Sequence, residues 1–297
     1  MSATETWTIG RLLSWTADYL KRSGSQSPRL DAEVLLSHAR GCQRIELYTA
    51  YEDQPSEQVR AAFREMVRRR AEGTPVAYLV GFKEFYSMTF EVNPDVLIPR
   101  PETEHLVVAA LDYAKSVCRP GTLRIMDVGT GSGAVAIALA KHLPDCHVTA
   151  VDVSQAALQV AQRNAQRHAI GEDRMSWVQG DLLTWCCEDL KFDLIVSNPP
   201  YVSEDEFAQL AGTVRDYEPR LALVAEQGPL ELLRELVRQS ALHLVPGGQL
   251  CFEISPMLAG QVEAMTGGAS CWGPPELIKD LSGQVRVVLL KSSSEEK

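Results

Sequence analysis

From Arg124 onward, short β-branched apolar runs alternate with stretches at helical spacing, and this alternation restricts the possible architectures more than any other feature of the chain. The strands expected are Ile125 to Val128, His147 to Val151, Met175 to Gln179, Leu194 to Val196, Leu250 to Ile254 and Val285 to Leu290. The helices between them are Val135 to His142, Gln155 to Ala169 and Leu230 to Leu244. Strand–helix–strand units close as right-handed crossovers, which predicts a doubly wound α/β domain with a mostly parallel sheet covered on both faces. Ligands of such sheets bind beyond the carboxyl ends of the strands, so chemistry is sought there.

Upstream the periodicity changes. Leu12, Leu13, Trp15 and Tyr19, then Leu30, Val34, Leu35 and Leu36, then Val59, Phe63 and Val67 recur at helical spacing and predict a small bundle between Ile9 and Glu72. Gly24, Gly41 and Gly73 follow the three stretches, where a left-handed residue ends a helix, and Ser56 is placed to cap the third. Phe82 to Pro99 mixes alternation (Phe85, Met88, Phe90, Val92) with Asn93-Pro94-Asp95 and reads as a β-hairpin. A helix from about Glu102 to Val117 is closed by Pro120-Gly121. The expected division of the 297 residues is a helical domain over 1–80, a hairpin linker over 81–98 and the α/β domain over 99–297.

Charge and cysteine usage exclude several roles. A formal net charge of -10 argues against holding duplex DNA by phosphate neutralisation, and Arg64, Arg68, Arg69 and Arg70 read as a solvated helix face. The cysteines, Cys42, Cys118, Cys146, Cys186, Cys187, Cys251 and Cys271, are odd in number and lack paired ligand spacing, which predicts reduced thiols and no metal site. Met1 to Leu13 carries Glu5 and no apolar signal core, and no apolar run reaches the ~18 residues of a membrane span. A cytoplasmic protein is expected.

Four constellations fall at strand ends. Asp127-Val128-Gly129-Thr130-Gly131-Ser132-Gly133 joins a strand to a helix; its glycines permit a tight turn and close ligand approach, and the free N–H groups attract an anion. Gly129, Gly131 and Ala134 also satisfy a dinucleotide fingerprint, so NAD and S-adenosylmethionine (SAM) both remain open here. Asp152, 19 positions after Gly133, is placed to accept ribose hydroxyls, while Ser154 is available to cap the next helix. In Gly180-Asp181-Leu182, Asp181 is positioned to read an adenine amino group and Leu182 to pack on the ring, although a strand-end turn explains Gly-Asp equally well.

The fourth, Asn198-Pro199-Pro200-Tyr201, is the most specific. Two prolines lack N–H donors and fix φ, so the Asn198 side chain and the Pro199 carbonyl stand as rigid acceptors. Two acceptors suit a planar amide or amino nitrogen, a poor nucleophile that needs positioning more than activation, with Tyr201 stacked on the planar group. Glu253, at the end of its strand, is either a buried acid near the cofactor or a satisfied edge residue.

These motifs resemble class I SAM-dependent methyltransferases with a Rossmann-like fold. Leu97-Ile98-Pro99-Arg100-Pro101-Glu102-Thr103-Glu104, Gly73 to Leu79, Gly81 to Phe85 and Pro28 to Glu33 narrow the resemblance to the HemK/PrmC family of release factor glutamine methyltransferases, over nearly the whole chain. The resemblance implies a seven-stranded catalytic domain, a helical domain that helps bind the substrate protein, and methylation of the glutamine in the Gly-Gly-Gln loop of class 1 peptide chain release factors. It implies that Gly129, Thr130, Gly131, Ser132, Gly133, Asp152, Asp181, Leu182 and Asn198 face SAM. Asn198, Pro199, Pro200 and Tyr201 would hold the substrate amide, with no nucleic acid or membrane partner. The chain departs from the family pattern at Val224 to Pro229, at Ser255 after Glu253-Ile254, and at Leu182. Rival readings are a glutamine methyltransferase of a ribosomal protein, an adenine N6-methyltransferase acting on a flipped base, and a silent SAM-binding scaffold, for which a degraded Asn-Pro-Pro-Tyr would be expected.

Overall fold

The computed structural model describes residues 6–117, 121–267 and 271–293; Cys118, Pro120 and the 294–297 tail lie outside the described residues. The chain forms two compact units, Met1–Phe82 with Ala211–Tyr217, and Lys83–Leu210 with Glu218–Lys297.

The first unit contains α1 (Ile9–Arg22), α2 (Pro28–Arg40), α3 (Glu46–Thr49), α4 (Glu57–Ala71) and α5 (Val76–Val80). Gly24, Gly41 and Gly73 all have positive φ, and the Ser56 hydroxyl accepts from Val59 N. Two single-turn helices, α3 and α5, were not anticipated, because four or five residues are too few to show a period. Leu13, Leu20, Leu35, Leu36, Leu47 and Phe63 form the core, whereas Trp15 and Leu30 remain exposed. Trp15 instead stacks on Tyr19 one turn away, rings 5.2 Å apart. The single turn Gly212–Arg215 belongs to this unit, and Tyr217 Oη donates to Glu72 O at 2.9 Å. A Cβ on Gly73 would lie 3.2 Å from the Tyr217 ring, and its φ of +109° favours glycine independently.

The arginine cluster is not a free basic face. Arg68 is paired with Glu65 and Glu72, and Arg70 turns inward to Asp31 at 2.7 Å. Asp31 also accepts from Ser25 Oγ, so one carboxylate ties α2, α4 and the loop between α1 and α2. Asp31→Ala strands a largely buried guanidinium, and chemical denaturation should show a loss of about 3 kcal/mol.

The second unit opens with β1 (Phe82–Phe85) and β2 (Met88–Glu91), joined by Tyr86 and Ser87, both at positive φ as a two-residue hairpin requires. The hairpin is shorter than expected; Asn93 to Asp95 forms a separate turn closed by Asp95 N donating to Asn93 Oδ1. Then come α6 (Glu104–Ser116), β3 (Leu123–Val128), α7 (Ala134–His142), β4 (Cys146–Asp152), α8 (Gln155–Arg167), β5 (Met175–Gln179) and β6 (Phe192–Ser197). The helix Pro229–His243 leads to β7 (Leu244–Glu253), and the helix Ala259–Thr266 precedes β8 (Glu276–Lys279) and β9 (Val285–Lys291).

The seven-stranded sheet has the order β5-β4-β3-β6-β7-β9-β8. β9 runs antiparallel to β7 and β8, and the other pairings are parallel. Successive residues serve opposite cores: Ile125, Leu194 and Val196 pack on one face, Met126 and Ile195 on the other. β8 carries half-exposed residues and shows no apolar run. β7 begins six residues earlier than expected, so Gly247 and Gly248 lie inside the strand and Gln249 pairs with Leu194 and Lys291. This Gly-Gly-Gln is sheet backbone. β4 and β6 flank β3 and connect in opposite directions, which opens a switch point at its carboxyl end. No helix among the described residues is long and apolar enough to cross a membrane.

Candidate active site

The switch point opens into a cleft of about 630 Å³, a size that suits a nucleoside bearing a short side chain. Register builds its floor: Val128 pairs with Val151 on one side and Ser197 on the other, so the ends of β3, β4 and β6 align. The Ser197 hydroxyl donates to Val128 O at 2.8 Å and joins two of these ends.

The glycine loop is held by its neighbours. Gly129 N and Thr130 N both donate to Val151 O, and Gly131 N donates to Asp152 Oδ2 at 2.8 Å. Buried Asp127 accepts from Thr130 Oγ1 and Ala136 N, and burial pushes its pKa up to about 7. At Gly133, φ is +80° and a Cβ would meet Ile137 Cδ1 at 2.9 Å, so only glycine brings α7 this close to the sheet. Asn164 on α8 donates to Ser132 O and Glu91 O and accepts from Glu91 N, which ties the loop to the hairpin.

Asp152 accepts backbone N–H groups on both oxygens, from Gly131 and from Ser154. Each oxygen keeps a lone pair for a ribose hydroxyl. Burial raises its pKa, opposed by those backbone bonds. Ser154 caps α8, as expected, by accepting from Ala157 N. Asp181 and Leu182 line the cleft, Leu182 at a φ of +48°, and Gln239 from the helix Pro229–His243 pins this turn by accepting from Leu183 N.

Asn198, Pro199 and Pro200 also line the cleft, following the strand end that pairs with the one before the glycine loop. Tyr201 is not among the lining residues; it is partly buried, and its pKa is raised by burial and then by the charge of Glu253. The structure therefore brings the expected residues to one cleft except Gly133, which packs α7 against its neighbours, and Tyr201. The walls carry Asp95, Asp127, Asp152, Asp181, Glu226, Glu231 and Glu235 against Arg100 alone. That balance disfavours a pyrophosphate and suits a cationic ligand, so the donor set fits SAM and not NAD.

Three further residues organise this wall. Glu218 accepts from Ile98 N at 3.1 Å and Arg100 at 2.5 Å, fixing the 97–100 segment that lines the cleft. Thr103 accepts from Asn198 Nδ2 at 3.0 Å, and its hydroxyl favours the charged form of the Glu253 carboxyl. Glu253 is 2% exposed, and burial pushes its pKa to about 7 against the Thr103 hydroxyl. No spacing rule assigns Thr103 or Glu218 a role; both become legible only when long-range packing brings them beside Asn198 and Arg100.

The raised Glu253 pKa makes a stability prediction. The folded state binds this proton more tightly than the ordinary value of 4.5 allows, so its contribution is complete below that pH and is lost as pH rises toward about 7. Relative to Glu253→Gln, the wild type should lose about 3 kcal/mol of unfolding free energy across that window. Urea titrations at several pH values would show it; a constant difference would refute it.

Comparisons with known proteins follow this geometry. Residues 11–81 match the PrmC N-terminal domain, and residues 125–217 match a methyltransferase domain. The release factor glutamine methyltransferase of Rhodopirellula baltica is 48% identical over 289 residues, 97% of each chain. That of Chlorobaculum tepidum is 42% identical over 91% of this chain and 92% of its own, and that of Bacillus subtilis 37% over 95% and 96%. Among solved structures, the hMettl16 catalytic domain in complex with MAT2A 3′UTR hairpin 6 superposes with a TM-score of 0.57 at 15% identity, covering 78% of this chain and 83% of that one, a likeness of fold.

Proposed function

Because the chain belongs to the release factor glutamine methyltransferase family, we propose that it methylates the side-chain amide nitrogen of the glutamine in the Gly-Gly-Gln loop of class 1 peptide chain release factors, using SAM. The observation that carries the chemistry is the cleft itself, whose lining combines an acidic, nucleoside-sized site with the Asn198-Pro199-Pro200 acceptors.

In this reading Gly129 to Gly133 approach the cofactor through backbone, Asp152 takes the ribose hydroxyls, and Asp181 and Leu182 meet the adenine. The bound cofactor supplies an electrophilic methyl group on a sulfonium. Asn198 Oδ1 and the Pro199 carbonyl each accept one N–H of the glutamine amide. Those two bonds fix the amide plane, turn the face of the nitrogen toward the methyl, and stabilise the positive charge that develops on nitrogen. Tyr201 packs on the amide once the substrate loop is seated.

The helical domain, the 1–80 region of the sequence division, recognises the release factor, the hairpin joins it to the catalytic domain, and the enzyme works in the cytoplasm. Support for the first of these is the match of residues 11–81 to the PrmC N-terminal domain.

The test is transfer of labelled methyl from SAM to unmethylated release factor, beside a release factor whose loop glutamine is alanine, a ribosomal protein mixture and plain DNA. Label on the intact release factor alone is expected. Label on ribosomal proteins or DNA instead would overturn the substrate.

A further inference from the structure

The acceptor geometry depends on a detail that shape does not determine. An asparagine carboxamide has nearly the same outline after a half-turn, yet one orientation offers the substrate an acceptor and the other a second donor facing its N–H groups. Something must select the first.

Three chain segments meet at that point. Asn198 follows β6, Glu253 ends β7, and the pairing of Ser197 with Phe252 sets them side by side. Thr103 closes the turn Pro101–Thr103 ahead of α6. Asn198 Nδ2 donates to Thr103 Oγ1 at 3.0 Å, and the Thr103 hydroxyl is near enough to the Glu253 carboxyl to favour its charged form. Thr103 is 5% exposed, and Glu253 Oε2 is buried with no hydrogen-bond partner among the described residues. A buried acid with a bare oxygen is poor material for a strand end, where an apolar residue would be more stable.

We propose that Thr103 and Glu253 form a one-way hydrogen-bond relay that holds the Asn198 carboxamide with its oxygen toward the cleft, making both of them positioning residues for methyl transfer. The relay rests on the reading of Asn198 as an acceptor for the substrate amide. A hydroxyl alone can donate or accept and would tolerate either orientation of Asn198. A carboxylate only accepts, so it claims the Thr103 hydrogen. The Thr103 oxygen then has only lone pairs to offer and must take its hydrogen from Nδ2, which leaves Oδ1 for the substrate.

Protonation reverses the chain. A neutral Glu253 can donate to Thr103 Oγ1, the hydroxyl can then donate to Oδ1, and a turned carboxamide presents its NH₂ to the substrate. The charged and titratable groups around Glu253 are Glu102, His105, Arg286 and Tyr201; with burial dominant, the carboxyl titrates at about 7. Turnover should therefore fall as pH drops through that value.

The experiment compares wild type, Thr103→Val, Thr103→Ser and Glu253→Gln on release factor across pH 6 to 9, a range of roughly three units that spans the carboxyl's titration. Thr103→Val should lower kcat by about tenfold to a hundredfold with SAM affinity unchanged, as a misoriented reacting group does. Thr103→Ser should restore the rate. Glu253→Gln should lose the acid-side fall, which His105 would leave in place if His105 caused it. A Thr103→Val enzyme as fast as wild type, or a Glu253→Gln enzyme that keeps the fall, overturns the relay.

A second readout needs no substrate. In the free protein, the Asn198 side-chain ¹⁵N–¹H₂ signals should shift through the same pH range in wild type and stay fixed in Glu253→Gln and Thr103→Val. Signals that ignore pH in wild type overturn the relay whichever protein proves to be the acceptor. Wild-type turnover on release factor tests the proposed function separately.

Discussion

Asn198→Ala is expected to reduce kcat on release factor by about 10²–10³-fold while SAM affinity stays near wild type. The size follows from the nucleophile. An amide nitrogen shares its lone pair with the carbonyl, so its reactivity depends on how its plane is held and how the developing charge is met. Asn198 supplies one of two acceptors, and Pro199, in the backbone, cannot be removed by substitution of its side chain. SAM affinity is spared because the glycine loop and Asp152 are held by bonds to each other and to β4, not by Asn198, whose amide bonds Thr103. Single-turnover methyl transfer with saturating SAM, paired with calorimetric SAM binding, separates the two effects. Turnover at the wild-type rate would remove Asn198 from the mechanism.

Asp152→Ala should do the reverse, weakening SAM binding by about a hundredfold, as the loss of two charge-assisted hydrogen bonds worth roughly 3 kcal/mol together implies. The carboxylate also holds Gly131 N and Ser154 N at 2.8 and 2.9 Å, so its loss frees the glycine loop at its centre. At saturating SAM, kcat should recover most of its value, since Asp152 does not touch the acceptor. Calorimetry that finds unchanged affinity would show that the ribose lies elsewhere.

Legibility followed the range of the interactions. Asp152 and Asn198 sit at strand ends and Gly133 at the start of α7, junctions marked locally by an apolar run followed by turn residues, so sequence spacing located them. Ser56 and Ser154 were readable as caps for the same reason: a cap bonds three residues away. β8 was hidden because its four residues are only half-buried at the sheet edge and carry no alternation. Thr103 and Glu218 were hidden as functional residues because their partners are 95 and 118 positions distant, and no local period encodes such a meeting. Tyr201, which follows two rigid prolines, lies outside the cleft lining.

The return of Ala211–Tyr217 to the helical unit also sets an order of assembly on the ribosome. Residues up to Phe82 emerge first, but the segment whose tyrosine bonds Glu72 O and covers Gly73 follows only after roughly 130 more residues, several seconds to half a minute later at the usual rate of synthesis. During that interval the end of α4 lacks the Tyr217 contact that the finished unit has.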